Sequence, residues 1–391
     1  MVTSSSIAIP VVPQSPGPWP ASPQSPQTPT PPKTSTQGPG QNTIESAPAV
    51  STSRTTTSRG ATSRTAPASF APASTATSLA GPGAPPSPFA SVTPLQPSGP
   101  WWHPRVGAKF QIILDRKANG RGVTPNLVPR DAEIFDLDLF DTPVEVFQQI
   151  HARGAYVICY FSAGGSESWR TDYRQIKAAD KGESMKKWPG ERWLNIRSPA
   201  IFDLMKKRIT LAKQKGCDGL DADNTDVFND DSGRGGGFTP PLNQADTVDF
   251  IKKLSKEAHR LGMGFGIKNA EDILPPVIND IDFAVNEECV TYGCSPYELI
   301  INSGRPVFHI EYANYRVRGS AVELKSWYPK WNSVTSAQIP QLLCSERNNT
   351  LSDGDYPAVK TDVAKKFSTV IKTLDLTSFA MYCDRSWVGE S

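Results

Sequence analysis

From residue 101 onward the chain alternates short apolar runs with longer stretches of helical period. Eight runs read as strands: Lys109–Leu114, Glu133–Leu137, Tyr156–Phe161, Gly219–Asp223, Gly264–Lys268, Phe283–Glu287, Pro306–Glu311 and Phe379–Cys383. Several stay apolar until their last residues, the pattern of parallel strands buried on both faces. Between them, Pro143–Arg153 runs up to Gly154, Pro199–Lys215 up to Gly216 and Asn243–Leu261 up to Gly262. A proline at the start and a glycine past the end mark the first two as helices, and the glycine stop marks the third. Val359–Leu374 is a further predicted helix. Strand and helix in alternation, eight times, predict an α/β fold of the (β/α)8 TIM-type barrel. A doubly wound open sheet alternates in the same way, but it would usually carry a Gly-rich phosphate loop after its first strand. Here Leu114 is followed by Asp115-Arg116-Lys117.

Residues 1–100 follow no such pattern. They hold 21 of the 36 prolines, 33 Ser plus Thr and only five charged residues. Such a stretch cannot bury a core, so residues 1–100 read as a disordered stalk or linker and 101–391 as one catalytic-sized domain. The rear segment carries 37 basic against 38 acidic residues, which removes the basic field a nucleic-acid binder needs. No run of 18 apolar residues occurs, so no membrane span is expected. Met1–Pro13 lacks the basic and apolar regions of a signal peptide, whereas Asn348-Asn349-Thr350 is a glycosylation sequon. An extracellular or cell-surface monomer is the expectation.

In a barrel the active site lies at the C-terminal ends of the strands. Polar residues gather there: Asp136 and Asp138, Tyr160, Asp221, Asp223 and Asn224, Lys268 and Asn269, Glu287 and Glu288, Glu311 and Tyr312. Glu167, Trp169 and Arg170 lie in the loop after the third strand. Carboxylates on so many strand ends are costly to desolvate unless they serve one acidic site, or unless they pair with Arg170 and Lys268 as scaffolding. An Asp on strand four and a Glu on strand six, converging at the mouth, suit glycoside hydrolysis. A calcium loop starting at Asp221 fails, because Asp226 stands where glycine is needed and Ser232 where the closing Glu belongs. No H-E-x-x-H or paired C-x-x-C points to zinc, and no G-x-S-x-G to a serine hydrolase. No metal and no cofactor is expected. His259 reads as a helix packing residue.

These stretches resemble glycoside hydrolase family 114, the endo-α-1,4-polygalactosaminidases. The similarity rests on Asp136-Leu-Asp-Leu-Phe-Asp141, Val157-Ile-Cys-Tyr-Phe-Ser-Ala163 with Trp169-Arg170, and Trp188-Pro-Gly-Glu-Arg-Trp-Leu194. It continues with Gly216-Cys-Asp-Gly-Leu-Asp-Ala-Asp-Asn224, Gly266-Ile-Lys-Asn269, Asn286-Glu-Glu-Cys289 and Val307-Phe-His-Ile-Glu-Tyr312. The resemblance implies metal-free internal cleavage of a cationic galactosamine polysaccharide of the galactosaminogalactan type. It implies Asp223 as nucleophile, Glu287 as general acid/base, and Asp221, Tyr160, Lys268 and Asn269 lining the site. Asp138, Glu167, Trp169, Arg170, Asn224, Glu288, Glu311 and Tyr312 join them as candidate sugar contacts. A general acid needs a raised pKa, which burial and the Asp223 charge would give Glu287. The chain departs from the family pattern at Ala222, Asn195, Glu288 and the insertion Gly233-Arg-Gly-Gly-Gly237. Of the six cysteines, Cys289 with Cys294 and Cys344 with Cys383 are candidate disulfides, while Cys159 and Cys217 read as buried free thiols.

Overall fold

The computed structural model describes residues 98–115, 126–230, 232–318, 321–326, 335–345 and 365–389. The Pro/Ser/Thr-rich segment, apart from residues 98–100, and the sequon at 348–350 lie outside them. Eight parallel strands form a curled sheet: β1 Phe110–Ile113, β2 Ile134–Asp138, β3 Tyr156–Ser162, β4 Gly219–Asp223, β5 Gly264–Lys268, β6 Phe283–Glu287, β7 Val307–Arg318 and β8 Ser368–Lys372. The sheet runs in chain order, as a (β/α)8 barrel requires. The gap between β8 and β1 is bridged by side chains and by the turn after β8. Lys372 Nζ donates to Gln111 Oε1 at 2.7 Å, and the Leu114 N–H donates to Leu376 O at 3.0 Å.

Three long helices cover the outside. α1 is Val144–His151, α2 Pro199–Lys215 and α3 Gln244–Arg260. Pro199 opens α2, and Gly216 ends it in the left-handed region at φ 95°. Asn243 caps α3 through a capping box with Asp246.

The eighth strand is not where the pattern placed it. β8 falls inside the predicted helix Val359–Leu374, whose residues 359–364 are outside the described set. The run Ser368-Thr-Val-Ile-Lys372 has three β-branched residues at its centre and is buried throughout, and a short buried strand is hard to tell from a helix segment by period alone. The predicted strand Phe379–Cys383 exists as Ala380–Tyr382, but it runs antiparallel to β8, with Val370 opposite Tyr382. Its Tyr382 hydroxyl donates to Phe110 O on β1 at 3.1 Å.

Side chains alternate along each strand, so two apolar layers form. One lies between the sheet and the helices and includes Leu220, Ala222, Ile209 and Phe250. The other fills the barrel with Phe110, Ile112, Ile134, Ile158, Phe283, Val285, Phe308, Ile310 and Val370. Trp102 closes its lower end, packing across Phe283 and over Gly219 and Gly264. Following the inward positions upward, Ile134 gives way to Asp136, Ile158 to Tyr160, Gly219 to Asp221 and Asp223, and Val285 to Glu287. The barrel is thus apolar below and acidic above. Gly266 leaves room for the Phe283 ring, since a Cβ there would stand 2.1 Å from it. Gly266→Ala is therefore expected to destabilise by about 1–3 kcal/mol. An unchanged urea midpoint would show that Phe283 is free to shift.

The connection from β3 to α2 carries a small antiparallel sheet of Gly165–Glu167, Lys181–Ser184 and Glu191–Leu194. The Gly-rich insertion packs on it, with Gly236 O where a Gly182 Cβ would be.

Candidate active site

β4, β5 and β6 each end in the same way. The last inward side chain is Asp223, Lys268 or Glu287, and the next residue has positive φ: Asn224 at 60°, Asn269 at 49° and Glu288 at 61°. Left-handed backbone is unusual for non-glycine residues and costs of order 1–3 kcal/mol, so such turns persist where the surroundings fix them. Here they end three adjacent strands at one point.

Lys268 Nζ lies between the two carboxylates, 3.5 Å from Asp223 Oδ1 and 3.2 Å from Glu287 Oε2. Each carboxylate also accepts from a tyrosine. Tyr160 donates to Asp223 Oδ2 at 2.8 Å, and Tyr312 donates to Glu287 Oε1. Asn269 holds Glu287 twice, donating to Oε2 at 3.3 Å and accepting the Glu287 N–H at 2.9 Å. The ammonium between them keeps those two carboxylate oxygens within about 7 Å of one another. Retaining glycosidases hold their carboxyl groups about 5–5.5 Å apart and inverting ones about 6.5–9.5 Å apart, and this upper bound on one oxygen pair is compatible with both.

The expected raised pKa of Glu287 is not found. Burial pushes this carboxyl up, but Lys268, Tyr312 and Asn269 together bring it below the ordinary glutamate range. The sequence placed Lys268 at the site but could not place it between the two carboxylates. Lys268 is itself held well above its ordinary pKa: burial opposes its charge, and the Asp223 and Glu287 charges outweigh that cost.

Beneath the pair sits a second acidic layer. Asp136 and Asp221 are both fully buried and repel one another, and none of their four carboxylate oxygens has a hydrogen-bond partner among the described residues. Two buried carboxyls so close cannot both stay charged without a large cost, so one keeps a proton. Burial, then the Asp221 charge, raises Asp136 well above its ordinary value. Asp221 is pushed up to about 7, by burial and by Asp223 and Glu287, against the pull of Lys268. A folded carboxyl that holds its proton while the unfolded one has lost it costs stability as pH rises from about 4 to about 7. Asp136→Asn supplies a permanent donor. Its melting temperature relative to the parent is expected to climb as pH is raised through that window. A difference independent of pH would rule out the retained proton.

Other expected contacts sort differently. Asp138, Glu167 and Arg170 form a buried ion cluster of their own. Arg170 bonds Asp138 at 2.5 and 3.0 Å, Glu167 at 2.8 and 2.9 Å and Asp141 at 3.1 Å. This is the scaffolding use of those carboxylates. Asn224 bonds Ser162 Oγ at 2.9 Å, and Trp169 packs beside Gly190, which immediately precedes the last strand of the small sheet. Glu311 alternates away from Tyr312 and lies fully buried on the outer side of β7, bonded to His309 at 2.8 Å and to the Val290 N–H at 3.0 Å. It does not join the central pair. Glu288 borders a cavity beside Glu287 that also takes in Asn286, from the same strand end, and Asp226 and Glu271, which strand-end reasoning did not select. Asp226 and Glu271 lie on turns past β4 and β5, where period gives no orientation.

Cys159 and Cys217 are not free. They form a disulfide, as do Cys289–Cys294 and Cys344–Cys383. Cys159 is on β3 and Cys217 immediately precedes the paired β4, a proximity that 58 intervening positions conceal. Cys289, Cys294 and His309 lie close enough to share an ion, but the two sulfurs are bonded to one another.

A family model described as glycoside-hydrolase family GH114 matches residues 91–388. The chain belongs to glycoside-hydrolase family GH114. This GH114 chain is similar to the crystal structure of Aspergillus fumigatus Ega3 in complex with galactosamine: 34% identity, TM-score 0.58, covering 74% of this chain and 99% of that one. The glycoside hydrolase domain of PelA from Pseudomonas aeruginosa matches at 11% identity and TM-score 0.48, over 70% of this chain and 98% of the domain. An uncharacterized protein of Deinococcus radiodurans is 26% identical over 184 residues, 42% of this chain and 58% of that protein. The family places this barrel among the glycoside hydrolases, and among the described residues no helix is long and apolar enough to cross a membrane.

Proposed function

We propose that this protein is an endo-acting, retaining glycoside hydrolase that cuts α-1,4-linked galactosamine polysaccharide. Asp223 is the nucleophile and Glu287 the general acid/base. The observation that carries this reading is the Asp223–Lys268–Glu287 arrangement at the barrel mouth. Its chain is 34% identical to Ega3, which was crystallised with galactosamine. Asp223 attacks the anomeric carbon while Glu287 gives its proton to the departing oxygen. Water, deprotonated by Glu287, then releases the sugar from Asp223. Tyr160 and Lys268 hold Asp223 in place for attack. The surrounding carboxylates draw in a polymer whose free amines are cationic near neutral pH. Three disulfides support action in an oxidising, extracellular setting, with residues 1–100 as a display stalk and the enzyme working as a monomer.

Glu287 must be protonated to act as an acid, and its pKa lies below the ordinary glutamate range. The value of kcat/KM is therefore expected to rise as pH falls from about 8 to about 5. The direct test is reducing-end release from partly deacetylated galactosaminogalactan, with products sized by mass. Hexosamine oligomers support the reading. Binding of folded protein to the polymer without new reducing ends would replace it with a carbohydrate-binding role.

A further inference from the structure

The catalytic scheme leaves unused a cluster at the lower end of the barrel, where the chain enters the fold through Trp101-Trp102-His103. At its centre is Asp282, only 4% exposed and immediately before β6. Four groups converge on its two oxygens. Trp101 Nε1 donates to Oδ1 at 2.8 Å, and the Phe265 N–H donates to Oδ2 at 2.9 Å. His259, on α3, places Nε2 at 2.7 Å from Oδ2. His103 places Nδ1 at 2.9 Å from Oδ1, a contact of charge rather than an aligned hydrogen bond.

A carboxylate only accepts, so the His259 nitrogen that faces it carries a proton. The other nitrogen, Nδ1, faces Ser255 Oγ at 3.4 Å, and that hydroxyl already donates to Asp280 O. A proton on Nδ1 as well satisfies this contact, so the site fits the imidazolium. The Trp101 ring stacks on the His259 ring with centroids 3.9 Å apart and planes 11° apart, and an indole face attracts a cation. The other charged groups around His259 border one cavity of about 470 Å³: Asp280 favours its charge, and Lys252, Lys256 and Arg305 oppose it. Lys252 is 3.8 Å from Asp280, and the Arg305 guanidinium donates to Ile281 O and Ser303 O. Asp282 is in contact with the ring and outweighs them. The cavity, which His259 and Asp282 both border, gives protons a way in.

We propose that Asp282, His259 and His103 form a protonation-dependent latch that fastens the entry segment, Trp101–His103, to the floor of the barrel. In acid both imidazoles are charged and the latch is closed. As pH rises through the histidine range, near 6.5 for an ordinary imidazole, the charges are lost and Trp101 is released. Trp102, which plugs the barrel over Gly219 and Gly264, is thereby held more firmly in acid than at alkaline pH.

The test is amide hydrogen exchange of residues 98–108 in the full chain, read by mass spectrometry at about pH 5.5 and about pH 8 and corrected for the intrinsic pH dependence of exchange. The wild type is expected to protect this segment about tenfold or more better at the lower pH. His259→Gln and His103→Gln should each remove most of that difference. His151→Gln, which breaks a histidine–carboxylate pair with Asp218 elsewhere, should keep it. His103→Gln carries the test if His259→Gln does not fold. No difference in the wild type, or a difference kept in the latch variants, overturns the proposal. So does protection that falls by the same factor at both pH values, since that is the mark of a packing contact without a titrating group.

Discussion

Glu287→Gln is expected to lower kcat on galactosamine polymer by about 10²–10⁴-fold with the fold unchanged. Glutamine keeps the length of the side chain and can still bond Asn269 and Tyr312, which now hold the carboxylate. It cannot give a proton to the leaving oxygen. The loss should shrink on a substrate with an activated aryl leaving group, because such a group departs without help. Asp223→Asn should fail on both substrates, since no covalent bond to the sugar can form. This contrast separates the two roles, which the resting geometry alone treats almost alike: each carboxylate has one tyrosine donor and a share of Lys268. If the activated substrate rescues Asp223→Asn and not Glu287→Gln, the assignments are reversed. If a folded Asp223→Asn variant keeps full activity on polymer, the pair is not the catalytic pair.

Arg170→Met is expected to cost about 3–5 kcal/mol of stability. The Arg170 side chain is 3% exposed, and its partners Asp138 and Glu167 are 3% and 5% exposed. Removing the guanidinium leaves two buried carboxylates facing each other without a cation. Arg170→Lys should recover only part of the loss. An ammonium cannot reproduce the paired bonds that reach Asp138 and Glu167 at once. Urea unfolding measures both variants. A loss of less than about 1 kcal/mol for Arg170→Met would mean that the cluster opens to water easily. Because Asp138 also accepts the Phe140 and Asp141 N–H groups at the end of β2, this variant should also disturb the barrel mouth. Its activity per folded molecule is expected to fall as well.

Most of the barrel was legible because a buried parallel strand has few ways to look. Seven of the eight strands fall where apolar runs end in polar residues, and α2 begins and ends at Pro199 and Gly216 as punctuation alone suggests. The eighth strand was missed because Ser368–Lys372 is too short to show a period, and the hydrophobic pattern around it also fits a helix. Cys159 and Cys217 were misread for a related reason. Pairing between neighbouring strands brings them together, and no local rule encodes it.

The chemistry divides in the same way. The order of residues by itself determined that carboxylates, a lysine and tyrosines stand at strand ends, and that the motifs around Asp223 and Glu287 resemble GH114. Those are properties of position along a strand, with its period of two. The tertiary structure decided which carboxylates meet. It sent Asp138 and Glu167 to Arg170 and turned Glu311 outward to His309. It set Asp136 against Asp221 and placed Lys268 between Asp223 and Glu287. The reason is electrostatic: a buried charge takes its energy from the partner a few ångströms away, and in a closed sheet that partner comes from a different strand. For the same reason, burial and the Asp223 charge gave the wrong direction for Glu287, whose carboxyl is brought down by Lys268, nineteen positions earlier in the chain and 3.2 Å away in space, together with Tyr312 and Asn269.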